Sequence, residues 1–186
     1  VDGVRVMDPG NADYFPNENF KGSMLEVKDI QPMAYSIQNV PHGNVDYVMY
    51  DSPSIGATGR MLVYTPPGYD ANSDKKYPVF YCISGTTDTE EVYFKVGRAN
   101  FILDNLIASG KAEPMIVVMP YGNPAAYFAP GTELPKIDLF SEMLMKDIIP
   151  YVDKNYRTIN DRLGRGIGGF SRGGAQALRN GLMNTD

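Results

Sequence analysis

The sequence predicts an α/β fold, a mostly parallel sheet with helices on both faces. Three observations lead there. Short apolar runs of strand length alternate with stretches whose apolar residues recur at helical spacing. Two of the runs, residues 77–84 and 115–119, are apolar almost throughout, as strands buried on both faces are. Finally, a glycine-flanked serine stands where the last run passes into a helical stripe.

The elements follow in order. Residues 1–28 are rich in Asn, Asp, Gly and Pro, with apolar patches at 4–7 and 24–27, a turn-dominated pattern. Alternation over 46–50 and the run 60–64 give two strands flanking the connection 52–59. Pro66 and Pro67 then force the chain out of the sheet, since neither can donate to a ladder. After strand 77–84, Ala99, Ile102, Leu103, Leu106 and Ile107 mark a helix ended by Gly110. Strand 115–119 leads into a Pro/Gly-rich loop, 120–136, carrying Tyr121, Tyr127 and Phe128. Phe140, Met143, Leu144, Ile148 and Val152 form a second helical stripe, with Pro150 placed to kink it. Residues 165–170 read as a strand and 173–182 as a helix.

Composition narrows the function classes. With 186 residues, the chain has room for one domain with a proper core. A net charge of −5 and scattered basic residues exclude a nucleic-acid footprint. No apolar stretch is long enough to span a membrane; the longest are like 114–120. Cys82, the one cysteine, lies in an apolar run and reads as a small buried hydrophobe. His42 is the single histidine, so a mechanism needing a histidine base has one candidate in this chain. The start at Val1, with neither initiator methionine nor signal pattern, leads us to expect a sequence that begins inside something longer.

Gly169-Phe170-Ser171-Arg172-Gly173 is G-x-S-x-G between an expected strand and an expected helix. A nucleophilic serine needs a sharp strand-to-helix turn, and small residues two positions away let both elements approach. The same pattern also fits a plain glycine-rich turn. A phosphate loop over 164–169 fits less well, because no Lys-Ser/Thr follows. If Ser171 is the nucleophile, the oxyanion needs two backbone donors. The candidates are the N–H of Arg172, next after the serine, and that of Thr86 in Ser84-Gly85-Thr86-Thr87, the loop after an earlier strand.

With these residues placed, the chain resembles the esterase D/carbohydrate esterase family one group, which has the α/β-hydrolase fold. The likeness rests on Val40-Pro41-His42-Gly43, Val63-Tyr64-Thr65-Pro66-Pro67-Gly68-Tyr69, Tyr77-Pro78-Val79, the segment from Gly97 to Ile107, Pro114 to Pro120, and Asp147-Ile148-Ile149-Pro150-Tyr151. It implies a serine esterase acting on feruloyl or acetyl esters of plant polysaccharide such as xylan. Ser171 would be catalytic, the Thr86 and Arg172 amides the oxyanion hole, and neither metal nor organic cofactor is implied. The family's acid and histidine follow the serine, so the resemblance implies a C-terminally incomplete, nearly inactive chain with an exposed sheet edge.

Val1-Asp2-Gly3-Val4-Arg5-Val6-Met7-Asp8-Pro9 resembles the last strand of an immunoglobulin-like carbohydrate-binding module. The division expected is therefore 1–28, module tail and linker, and 29–186, the front of the esterase domain. This resemblance also implies a secreted or periplasmic protein. Two departures stand out: Ser84-Gly85 where many feruloyl esterases have His-Gly, and Arg172 where Met is usual. They keep open a non-catalytic carbohydrate-binding protein, and an S-formylglutathione hydrolase or acyltransferase. His42, in a Pro-His-Gly turn ahead of the first sheet strand, reads as a surface residue.

Overall fold

The computed structural model describes residues 3–27, 32–136 and 138–184. A small ribbon, β1 (Tyr14–Phe15) and β2 (Gly22–Ser23), precedes the main sheet. That sheet holds β3 (Asn44–Ser52), β4 (Ala57–Thr65), β5 (Val79–Ile83), β6 (Ile116–Pro120) and β7 (Arg165–Gly169), in the order β3-β4-β6-β5-β7. The helices are α1 (Val92–Lys95), α2 (Ala99–Ala108), α3 (Leu139–Glu142), α4 (Ile149–Asn155) and α5 (Arg172–Met183).

The sheet is mixed. β5 runs parallel to both β6 and β7, whereas β4 is antiparallel to β3 and β6. The short connection between β3 and β4 permits only a hairpin, which makes that pair antiparallel. Gly56, at φ 62°, supplies the left-handed residue that closes it. The parallel strands are those joined through helices, and their carboxyl ends lie along one rim.

Period-2 alternation sends side chains to two cores. Met61, Val63, Val79, Tyr81, Ile83 and Val118 meet Phe140, Leu144, Ile148 and Val152 on one face. Leu62, Tyr64, Val117 and Met119 meet Tyr93, Phe94 and Leu103 on the other. Helices therefore cover both faces, as the sequence predicts. All of β6 is buried, which explains why its sequence shows no alternation.

Proline sets several boundaries. Pro78 cannot donate, so β5 starts at Val79, and Tyr77 makes only an isolated bridge to Thr158. The expected kink at Pro150 takes the form of a π-helical stretch, Met143–Ile148, between α3 and α4. Pro150 has no N–H for the i−4 bond, and the ladder shifts by one residue ahead of it. Gly110, at φ 67°, ends α2 as expected, with Lys111 N–H donating back to the Leu106 carbonyl at 2.8 Å. β7 stands at the sheet's outer edge, next to Leu178 and Leu182, which are 68% and 75% exposed.

The N-terminal segment is pinned to the rest of the molecule. The Arg98 guanidinium makes two hydrogen bonds to Glu26, at 2.7 and 3.0 Å, and the Tyr14 hydroxyl donates to Glu91. Arg5, Val6 and Met7, expected within a module's last strand, lie outside any strand. Val1 and Asp2 of that motif, and the boundary drawn between 28 and 29, fall outside the described residues.

Candidate active site

Ser171 sits between β7 and α5 with φ 55° and ψ −117°. A side chain rarely tolerates that conformation, and strain of this kind persists only where the surroundings enforce it. Here the enforcement is visible. A Cβ on Gly169 would come within 2.5 Å of the Ile83 carbonyl oxygen, and one on Gly173 would run into the same oxygen and that of Ser84. The two glycines let β7 and α5 close on the end of β5. Phe170 N–H donates to the Ile83 carbonyl at 3.2 Å and completes the clamp. Ser171 is exposed, and its hydroxyl has no hydrogen-bond partner among the described residues.

The loop after β5 lies against this turn. Gly85 leaves only enough room for the Phe170 ring, 3.0 Å from where a Cβ would stand. Asp88 shapes the loop by accepting from Gly85 N–H at 3.2 Å, and Thr87 takes a left-handed φ of 66°. The Ser84 side chain is buried and turned toward the Asp88 carbonyl, 3.5 Å away. The Thr86 and Arg172 amides, the two expected oxyanion donors, carry no hydrogen bond to any described residue. Thr86 is exposed and Arg172 half-buried, so both amides are open to an acceptor arriving from solvent, one from the loop after β5 and one from the first turn of α5.

Other residues singled out in the sequence are accounted for. Tyr121 and Tyr127 pack edge to face, with ring centres 5.5 Å apart, while Phe128 rests on the core. Arg60 lies over the Tyr121 ring, and its N–H donates to the Tyr127 hydroxyl. Burial holds the Cys82 thiol up, at about 11, despite a hydrogen bond with Tyr93 that pulls the other way. His42 is at the far end of the sheet. It precedes Asn44, which pairs with Thr65, and the neighbouring Tyr64 pairs with Val117 near the start of β6. Ser171 follows the parallel strands' opposite ends, about 15 Å of strand away. His42 instead packs on Phe101 and is hydrogen-bonded to Asp104, Nδ1 to Oδ2 at 2.8 Å.

Two features escape sequence reasoning. Asp104 reads as one polar position in a helical stripe, yet it is 1% exposed and accepts from the Tyr64 hydroxyl and Gly43 N–H. Glu18 lies in the turn-rich start but reaches the Ser171 neighbourhood, where Asn123 Nδ2 donates to it at 2.9 Å and Arg172 Nη1 stands 3.8 Å away. No local pattern marks either residue, because each depends on contacts between distant segments. Among the described residues, no three or more His, Cys, Asp or Glu side chains are grouped to hold a metal ion, and no helix is long and apolar enough to cross a membrane.

The Esterase family model matches residues 52–186, from the end of β3 through the serine turn. The chain belongs to this esterase family. A relative of the esterase is the endo-1,4-beta-xylanase/feruloyl esterase of Xylanibacter ruminicola, 34% identical over 180 residues, covering 95% of this chain and 25% of the relative. A solved ferulic acid esterase of Anaeromyces mucronatus, in complex with ferulic acid, superposes with a TM-score of 0.71 at 28% identity. That match covers 88% of the esterase and 62% of the solved chain. An S-formylglutathione hydrolase of Staphylococcus aureus, at 20% identity and a TM-score of 0.58 over 77% of this chain and 54% of the other, shares the fold. The esterase thus spans a quarter of the first relative's length and about three fifths of the ferulic acid esterase. These matches establish the α/β-hydrolase type of fold that the sequence resemblance implies.

Proposed function

We propose that this esterase is a serine carboxylic-ester hydrolase acting on acyl esters of plant polysaccharide, feruloyl or acetyl groups on xylan. The observation that carries the reading is the strained, exposed Ser171 at the strand-to-helix turn, with the loop 84–87 packed against that turn through Gly85 and Phe170. The feruloyl esterases among its relatives supply the substrate class.

Ser171 Oγ attacks the ester carbonyl and forms a tetrahedral intermediate. The Thr86 and Arg172 amides receive its oxyanion, and the N-terminal end of α5 adds a favourable field. Collapse expels the sugar alcohol, and water then releases the acid from the acyl-serine. The base that takes the Ser171 proton is not His42, which stands at the other end of the sheet. Residues 172–186 hold no histidine, so we infer that the base and its acidic partner come from a part of the protein outside these 186 residues, the relatives being longer than this chain. A polymeric xylan substrate requires the protein outside the cell, so export belongs to the same proposal.

The test is labelling of the full chain with a fluorophosphonate probe, followed by assay of ferulate and acetate release from xylan. Labelling at Ser171 that S171A abolishes, with release of either acid, is expected. A folded, unlabelled full chain overturns the reading in favour of a carbohydrate-binding role.

A further inference from the structure

The loops that meet at Ser171 are tied together by a residue that belongs to none of them. Glu18 N–H donates to the Thr87 carbonyl at 2.8 Å, and Asn17 Nδ2 donates to Thr87 Oγ1 at 3.0 Å. Asn17 also bridges to Asp88. The Glu18 carboxylate is held in turn by Asn123, in the loop after β6, and lies beside the Tyr121 hydroxyl. Its fixed backbone and side-chain bonds leave it facing Arg172, the residue next to the serine.

The Arg172 guanidinium is oriented across the rim. Its Nη2 comes within 3.6 Å of where a Cβ on Gly122 would stand. Nε and Nη2 are buried without a hydrogen bond, and Glu18 is the one carboxylate within 4.0 Å of it among the described residues. Side-chain exposures of 21% for Arg172 and 17% for Glu18 place the pair where water screens it less than a surface pair. The other guanidinium on this rim, Arg60, has its own carboxylate, Glu90, at 3.6 Å. With both pairs ionised, each of these guanidiniums is offset by its own carboxylate, and Asp88, in the loop after β5, adds a negative charge nearby.

We propose that Glu18 is a specificity-determining residue: it neutralises the Arg172 guanidinium beside Ser171 and so keeps the site selective for esters with an uncharged acyl group. This rests on the reading of Ser171 as nucleophile. Without Glu18, a guanidinium next to the acyl position attracts anionic acyl groups. With Glu18 but no guanidinium, the carboxylate repels them. Either change affects the oxyanion in both substrates alike, so the ratio of two substrates isolates the acyl charge.

The experiment uses the full chain and two esters with one leaving group, 4-nitrophenyl acetate and mono-4-nitrophenyl succinate. The ratio of kcat/KM for succinate over acetate is measured for wild type, E18Q, R172M and the double variant. E18Q is expected to raise the ratio about tenfold, less in high salt, as one unpaired charge near the acyl group would. R172M is expected to lower it, and E18Q in the R172M background not to raise it. An unchanged ratio in folded E18Q, or an equal rise without Arg172, overturns the proposal. Should E18Q not fold, R172M decides, because an unchanged ratio there overturns it as well. Wild type that turns over neither ester removes the serine-hydrolase reading and this proposal with it; turnover with unmoved ratios removes this proposal alone.

Discussion

Gly173 stands against the carbonyl of Ile83 with no room for a methyl group between them. The obstacle is backbone at the end of β5, which cannot rotate away as a side chain could. Gly173→Ala must push α5 off the sheet or distort the serine turn. We expect a loss of about 3 kcal/mol, at the upper end for overpacking, together with loss of fluorophosphonate labelling. Denaturant unfolding and labelling of the same preparation check it. Gly174, whose added Cβ would meet its nearest neighbour at 3.3 Å, should tolerate Ala far better.

Ser171 itself stores strain that a glycine would not feel. Its φ of 55° with ψ −117° costs roughly 1–3 kcal/mol for a side chain, and glycine's greater unfolded freedom offsets part of any relief. Ser171→Gly should therefore be about 1 kcal/mol more stable than wild type and inactive. Ser171→Ala, which keeps the Cβ, should be equally inactive without that gain. A melting temperature that rises for Gly but not for Ala confirms that the backbone, and not the hydroxyl, carries the strain.

What the sequence reveals follows how local its cause is. The serine turn, the buried strands and the glycine that ends α2 are written in neighbouring residues, and the structure has them within a residue or two of their expected bounds. The two strands that become β3 and β4 are expected from their pattern, but their antiparallel pairing and the place of β4 beside β6 are not, since strand order depends on pairings far apart in sequence. α1 is a single turn without a periodic stripe, and the β1–β2 ribbon has two-residue strands, too short to show alternation. Around Ser171, the nucleophile and the two amides belong to recognisable turns. Glu18 does not, because a carboxylate in an Asn-rich stretch looks like any solvated charge until the fold brings it to Arg172.

His42 and Asp104 supply a contrast in which an acid–histidine pair is structural. Asp104 accepts from Tyr64, Gly43 and His42, and its removal strands a buried hydroxyl and amide. Asp104→Ala should cost about 3 kcal/mol, since bonds to a buried charge are the expensive ones to lose. His42→Ala, at a partly exposed side chain, should cost less and leave kcat/KM for ester hydrolysis by the full chain within about twofold, whereas removal of a general base costs orders of magnitude. Esterase assays and denaturation curves on both variants test this.

Alkaline pH should weaken the fold over a window that Cys82 helps to define. Burial raises its thiol from 9.0 to about 11. The folded state therefore keeps the proton over a range in which the unfolded chain has lost it, so unfolding releases a proton and rising pH favours it. The contribution is complete below about 9 and disappears as pH rises through about 11. Tyr64 and Tyr81 add to the same slope further up, since burial raises both phenols, helped at Tyr64 by the Asp104 carboxylate. Chemical denaturation from pH 7 to 11 should show stability flat at first and then falling, with Cys82→Ala losing up to about 2 kcal/mol less across the upper part. The same burial predicts slow alkylation of the native thiol at pH 8, at a rate set by opening of the fold. Rapid modification there, or a Cys82→Ala curve parallel to wild type, would show that the thiol is not held neutral by the core beneath α1.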